Sequence, residues 1–169
     1  MSRDDTGQEE RQEEFLSVLA RFDHAMLVTR DPSGGLRSRP MAIADSSEDG
    51  RLWFMSNVHS GKQEELAEDD RVNVAMQGGG RFLSITGKAR VVRDEGKQEE
   101  LWNEAQRVWF PDGPHDASLV LIEVVPDDAE YWDGSGLKGL KYLFNEARAI
   151  VGGGSLDDDA RVHGKVDLD

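Results

Sequence analysis

The chain has 169 residues, 34 of them acidic against 20 basic, a formal net charge of −14, and no cysteine. That length predicts one domain with a real core. The missing thiols exclude disulfides, thiolate chemistry and cysteine-ligated metals, and the acidic balance argues against a nucleic-acid or anionic-membrane surface. With no apolar run of spanning length and a charged, non-signal N-terminus, a cytoplasmic protein is expected.

Residues 1–8 are expected to be flexible. A helix from Glu9 to Phe22 places Phe15, Val18, Leu19 and Phe22 on one apolar face. Ala25 to Arg30 reads as a strand closed by the turn Asp31-Pro32-Ser33-Gly34-Gly35. Residues 36–44 form a second strand with Arg37, Arg39, Met41 and Ile43 on one face. The turn Ser46-Ser47-Glu48-Asp49-Gly50 joins it in a hairpin to residues 51–56, an uncharged aromatic and apolar strand from Trp53 onward.

Ser60-Gly61-Lys62-Gln63 then fits the S-x-x-Q capping box that opens a helix. Orphan N–H groups and the helix dipole favour an anion there. The hairpin brings Arg39 toward the corner from Ser56 to Lys62, so two cations converge beside apolar residues. That combination suits a phosphorylated cofactor with a flat apolar body. The plain alternative is an ordinary capped surface helix and two arginines bonded to neighbouring carboxylates.

Arg71 to Gln77 is the next strand, and Gly78-Gly79-Gly80 leads into a long one from Arg81 to Arg93. Gly87 in its middle predicts a bulge or bend, as barrel closure requires. A helix from Glu95 to Trp109 carries Leu101, Trp102, Ala105 and Trp109, and the apolar run Ser118 to Val125 is the most buried strand. Residues 137–151 suit a terminal helix, with Leu137, Leu140, Phe144, Ala147 and Ile150 in one stripe; the Gly- and Asp-rich residues 152–169 suit a disordered tail. At least six strands with few long helices predict a mainly β fold, a small closed barrel.

His24, His59, His115 and His163 have no ligand spacing, so no metal is expected. There is no Gly-x-Ser-x-Gly elbow, Walker loop or Rossmann fingerprint, and no nucleophile–base pair. No side chain is therefore assigned as catalytic, and any chemistry would be carried by a bound cofactor.

Ser38-Arg39-Pro40-Met41, then Trp53-Phe54-Met55-Ser56 and Ser60-Gly61-Lys62, resemble the flavin-binding signature of the pyridoxamine 5′-phosphate oxidase-like split barrels. The downstream segments are similar to the bacterial general stress protein subgroup: Leu101-Trp102, Val108-Trp109-Phe110-Pro111-Asp112-Gly113-Pro114, Leu119 to Val125, and Ala129-Glu130-Tyr131-Trp132-Asp133. The likeness runs in order over about residues 10–150.

The resemblance implies a split-barrel domain over 9–134 with an extension at 135–151, binding FMN (FAD being possible) at a homodimer interface. By position, Arg39 would approach the flavin phosphate or ring edge, Pro40, Met41 and Ala42 would line the ring, and Met55 and Ser56 would continue that wall. Ser60, Gly61 and Lys62 would form the phosphate turn, although Gly61 stands where the oxidase proper often has arginine. Trp109 and Trp132 would face the flavin from the partner subunit; core or interface packing is the alternative, and for Trp102 the preferred one. Ala44 replaces the oxidase's substrate-binding lysine, and no Arg-x-His-x-Arg segment follows Tyr131-Trp132. A true pyridoxamine phosphate oxidase is therefore not expected. The implied function is a flavin-dependent oxidoreductase with a stress-related role and a small-molecule electron donor or acceptor. The alternatives are a non-catalytic flavin carrier or sensor, and a barrel for a deazaflavin or haem.

Overall fold

The computed structural model describes residues 3–134 and 163–168. Seven strands, β1 (His24–Arg30), β2 (Leu36–Ser46), β3 (Leu52–Asn57), β4 (Arg71–Gly78), β5 (Arg81–Val92), β6 (Leu119–Asp133) and β7 (His163–Asp167), form one antiparallel sheet. Its order is β3-β2-β1-β4-β5-β6-β7, and the pairing of β3 with β6 closes the first six strands into a barrel. The helices are α1 (Arg3–Leu19), α2 (Lys62–Glu68) and α3 (Glu95–Leu101), followed by 3₁₀ turns at Glu104–Val108 and Gly113–His115. The fold is the mainly β split barrel expected.

Strand alternation fills the interior. Ala25 and Leu27 of β1, Leu52 and Phe54 of β3, Val72, Val74 and Met76 of β4, and Ile122 and Val124 of β6 all enter one buried cluster. Phe15, Val18 and Leu19 of α1 join it from one helical face. Burying such side chains contributes about 1.5–3 kcal/mol each. β5 bends where Gly87 was expected to bend it. Its register with β6 shifts between Thr86 and Gly87, and a Cβ on Gly87 would lie 2.2 Å from the Val125 carbonyl oxygen.

Several expected boundaries differ. α1 begins at Arg3 and ends at Leu19, so the flexible N-terminus of residues 1–8 gives way to helix from residue 3 onward. The expected helix Glu95–Trp109 breaks after Leu101. Asn103 caps a new turn there, its side chain accepting from the Ala105 N–H while Gln106 accepts from the Asn103 N–H. β6 continues to Asp133, and β7 occupies 163–167 inside the segment expected to be disordered. Val166 of β7 is buried in the core, and Gly164 lies against the Tyr131 ring, where a Cβ would meet the phenol oxygen at 2.4 Å. One apolar residue was too little signal for a strand added to a sheet edge. The predicted helix 137–151 and residues 152–162 lie outside the described residues.

Candidate functional site

β2 passes the end of the barrel where α2 begins, and its alternation gives it two different faces. Arg39, Met41 and Ile43 turn inward: Met41 and Ile43 pack on the core, and Arg39 lies opposite Leu27 of β1. Pro40 and Ala42 face outward and are exposed. Beside them β3 turns Met55 and Asn57 outward, while Ser56 is buried. A cavity of about 570 Å³ lies here, lined by Pro40, Met41, Ala42, Met55, Ser56 and Lys62. Its far wall is Ala105, Gln106, Trp109 and Phe110, from the segment beyond α3. The volume falls within the range of small-molecule sites, and so does the mixture of apolar wall with few polar groups.

At the barrel mouth Glu65 of α2 is 4% exposed and holds Arg39. Arg39 Nη2 donates to Glu65 Oε2 at 2.7 Å, and Nη1 donates to the Thr29 hydroxyl, which in turn donates to Glu65. Arg37 pairs with Asp31 at 3.1 Å and reaches Glu65 only at 3.9 Å. Both arginines are therefore bonded to nearby carboxylates, as the plainer sequence reading has it. Among the described residues, the Lys62 ammonium has no carboxylate within ion-pair distance. Burial pushes its pKa below the ordinary lysine value, the Arg39 charge pushes the same way, and Glu65 partly opposes them.

The S-x-x-Q capping box does not form. The residue capping α2 is Gly61, without a side-chain cap, and the Ser60 hydroxyl instead lies 3.3 Å from the Ser56 hydroxyl. Among the described residues, the side-chain amide nitrogen of Gln63 is buried with no hydrogen-bond partner.

Of the sequence-predicted site residues, the cavity gathers Pro40, Met41, Ala42, Met55, Ser56, Lys62 and Trp109. Arg39, Ser60 and Gly61 stand behind the wall in the chain and do not line it. Trp109 lines its own chain's cavity and is 75% exposed. Trp132 lies elsewhere, in a second hollow of about 460 Å³ with His24, Met26, Phe82 and, shared between the two hollows, Pro40. It stacks on His163 with ring centroids 5.3 Å apart, and His163 Nε2 lies 2.8 Å from Glu130. Gln106 and Glu65 were missed. Gln106 sits inside what reads as one continuous helix, and Glu65 inside an acidic run that reads as a solvated face.

Among the described residues, no cluster of three or more His, Asp or Glu could hold a metal ion. None of their helices is long and apolar enough to cross a membrane.

The general stress FMN/FAD binding protein of Xanthomonas citri is 27% identical, with a TM-score of 0.64 over 76% of this chain and 93% of that one. A general stress protein 26 from Jannaschia sp. CCS1 shares the fold at 20% identity, with a TM-score of 0.66 over 94% of this chain and 99% of that one. Protein bli-3 of Neurospora crassa is 31% identical over 127 residues, which are 68% of this chain and 61% of the fungal protein. This chain thus matches less than two thirds of that relative's length. The model of the family described as pyridoxamine 5′-phosphate oxidase like matches residues 10–157, and the chain belongs to that family.

Proposed function

We propose that the protein binds a flavin phosphate, FMN first and FAD as the alternative, in the cavity between β2, β3 and the 3₁₀ segment. The observation that carries this reading is the cavity itself: an apolar wall that includes Pro40, Met41, Ala42 and Met55, with Lys62 among its lining. The donor set fits the group. Among the described residues Lys62 has no ion-pair partner, Ser56 on the cavity wall offers a hydroxyl with that of Ser60 behind it, and the buried side-chain amide of Gln63, next in the chain to Lys62, is a donor without an acceptor. When bound, a flavin supplies hydride or single-electron transfer. The chain's own share is to anchor the phosphate through Lys62, hold the ring against β2 and β3, and limit water.

Exposed Val108, at 81%, and Trp109 lie along the segment that walls the cavity, which supports a second copy closing the site in a homodimer. The similarity to the Xanthomonas citri general stress FMN/FAD binding protein supports flavin binding and a stress-related role. A non-catalytic carrier or sensor is favoured by a different observation: the lining side chains contain no acid–base pair.

An absorbance spectrum of the purified protein, repeated after FMN is added and the excess removed, tests the binding. A retained oxidised-flavin spectrum is expected; a colourless protein that keeps no FMN overturns the proposal. Rapid anaerobic bleaching by NADH or NADPH selects the oxidoreductase over the carrier. Lys62→Ala should weaken FMN binding by about 1.5–3 kcal/mol, the worth of a hydrogen bond to a charged group, and leave riboflavin nearly unaffected.

A further inference from the structure

Resting on that reading, we infer that Glu65 sets the cavity for a singly charged phosphate, so that a flavin phosphodiester is held as well as the dianionic FMN monoester. Three cations reach this end of the barrel, Arg37, Arg39 and Lys62, and two carboxylates reach it with them. Asp31 takes Arg37 at 3.1 Å, and Glu65 takes Arg39 at 2.7 Å. Glu65 is buried and cannot swing away into solvent, and the Thr29 hydroxyl ties it to Arg39 a second time. Among the described residues at this end, one positive charge, that of Lys62 on the cavity wall, is left over.

A dianion brings its second charge to a place where the nearest other cation is already neutralised. Its extra hydration is stripped with little return, because an ion pair repays desolvation only where an unspent opposite charge waits. Glu65 is thus a specificity-determining residue: it touches no ligand and acts by occupying Arg39. The ligand class it admits beside FMN is a flavin whose ribityl phosphate is esterified twice, the linkage present in FAD.

The test is a ladder of affinities at pH 8, above the histidine range and with the FMN phosphate doubly charged. Riboflavin, riboflavin 4′,5′-cyclic phosphate, FMN and FAD carry zero, one, two and diester phosphate charges at the first position. The parent protein should bind the cyclic phosphate about tenfold or more tighter than riboflavin, as one charged hydrogen bond allows. FMN and FAD should lie within about threefold of the cyclic phosphate. In Glu65→Gln, which keeps the side chain's size and its bonds to Thr29 and Arg39, FMN alone should gain about tenfold. In Lys62→Ala the whole ladder should collapse onto riboflavin, a check that holds even if Glu65→Gln folds poorly.

FMN bound more than tenfold tighter than the cyclic phosphate by the parent overturns the inference while leaving flavin binding intact, and FAD excluded where FMN binds does the same. A parent that binds none of the four, riboflavin included, overturns the proposed function and the inference with it.

Discussion

Two glutamates of this barrel are buried and bound by arginine, yet they do different work. Glu123 of β6 is 1% exposed and accepts from Arg51 at 2.9 Å and from Arg90. The two arginines outweigh its one charge, and Asp49 balances the excess by taking Arg51 at 3.1 Å. The cluster is closed, and the guanidinium groups hold the Glu123 carboxyl below its usual range although burial alone would raise it. Glu65 is just as buried, but its neighbourhood is not closed. Beside the Glu65–Arg39 pair stands Lys62, without an ion-pair partner among the described residues and lining a cavity. A buried ion pair adds little net stability and much local order. At Glu123 that order ties the turn after β2 and strand β5 to β6; at Glu65 it fixes how much charge a ligand meets.

If Glu123 is structural, stranding it should cost the most. Replacing Arg51 and Arg90 together by Met leaves a buried carboxylate uncompensated, with an expected loss of about 3–5 kcal/mol in urea unfolding. Flavin affinity should stay at the parental value in whatever folds. A loss below about 1 kcal/mol would mean that Glu123 escapes to water, and the contrast between the two glutamates would fail.

Glu65→Gln should cost less, about 1–2 kcal/mol, because the amide keeps the packing and loses only the charge on its bond to Arg39. The same denaturation measurement reads it. A loss as large as that of the double Arg51, Arg90 variant would make Glu65 a structural residue of the same kind as Glu123.

Titration separates them further. The pKa of Glu123 is lowered by folding, so the unfolded chain takes up its proton first as pH falls. Its contribution is full above the unfolded value near 4.5 and is lost as pH drops through the folded value below that. Stability measured from pH 6 down to pH 3 should fall less steeply in Glu123→Gln than in the parent. Equal slopes would remove Glu123 from the acid sensitivity of the fold.

How much of this was legible beforehand depends on the range over which each signal acts. The barrel was readable because strand alternation, glycine breaks and the Gly87 bend are local properties. The inward set Arg39, Met41 and Ile43 was readable for the same reason, since strand alternation fixes which residues share a face, whereas the lining by Pro40, Met41 and Ala42 was expected from the resemblance alone. The phosphate corner was only half readable. Ser60 was assigned to Gln63 by a spacing rule, but the buried Ser56 hydroxyl, brought near by the fold, claimed it instead. Glu65 was illegible because a glutamate in Gln63-Glu64-Glu65 looks solvated until β1 places Thr29 and β2 places Arg39 beside it. Glu123 did carry a signal, a lone carboxylate in an otherwise apolar run from Leu119 to Val125. Trp132 stacks on a ring supplied by β7, a strand whose single buried apolar residue left too little signal in the sequence.

The smallest effect expected is the most specific to the open site. Lys62 loses its proton more readily in the folded protein than in water, because burial and Arg39 both disfavour its charge. A phosphate bound there reverses that balance, so binding and protonation favour each other. By linkage, the folded chain without ligand gives up the Lys62 proton at a pH below 10.5, and the phosphate then meets a neutral amine. The ratio of FMN to riboflavin affinity, which isolates the phosphate, should therefore hold steady near pH 8 and decline before pH 10.5 is reached. The flavin ring is common to both ligands, so its own ionisation cancels in the ratio, and in Lys62→Ala the ratio should show no such decline. A ratio that holds flat past pH 10.5 would mean that the phosphate charge is met elsewhere. Arginine keeps its proton through this whole range, so the group in question would be Arg39 released from Glu65, and the two buried glutamates would no longer differ in the way described.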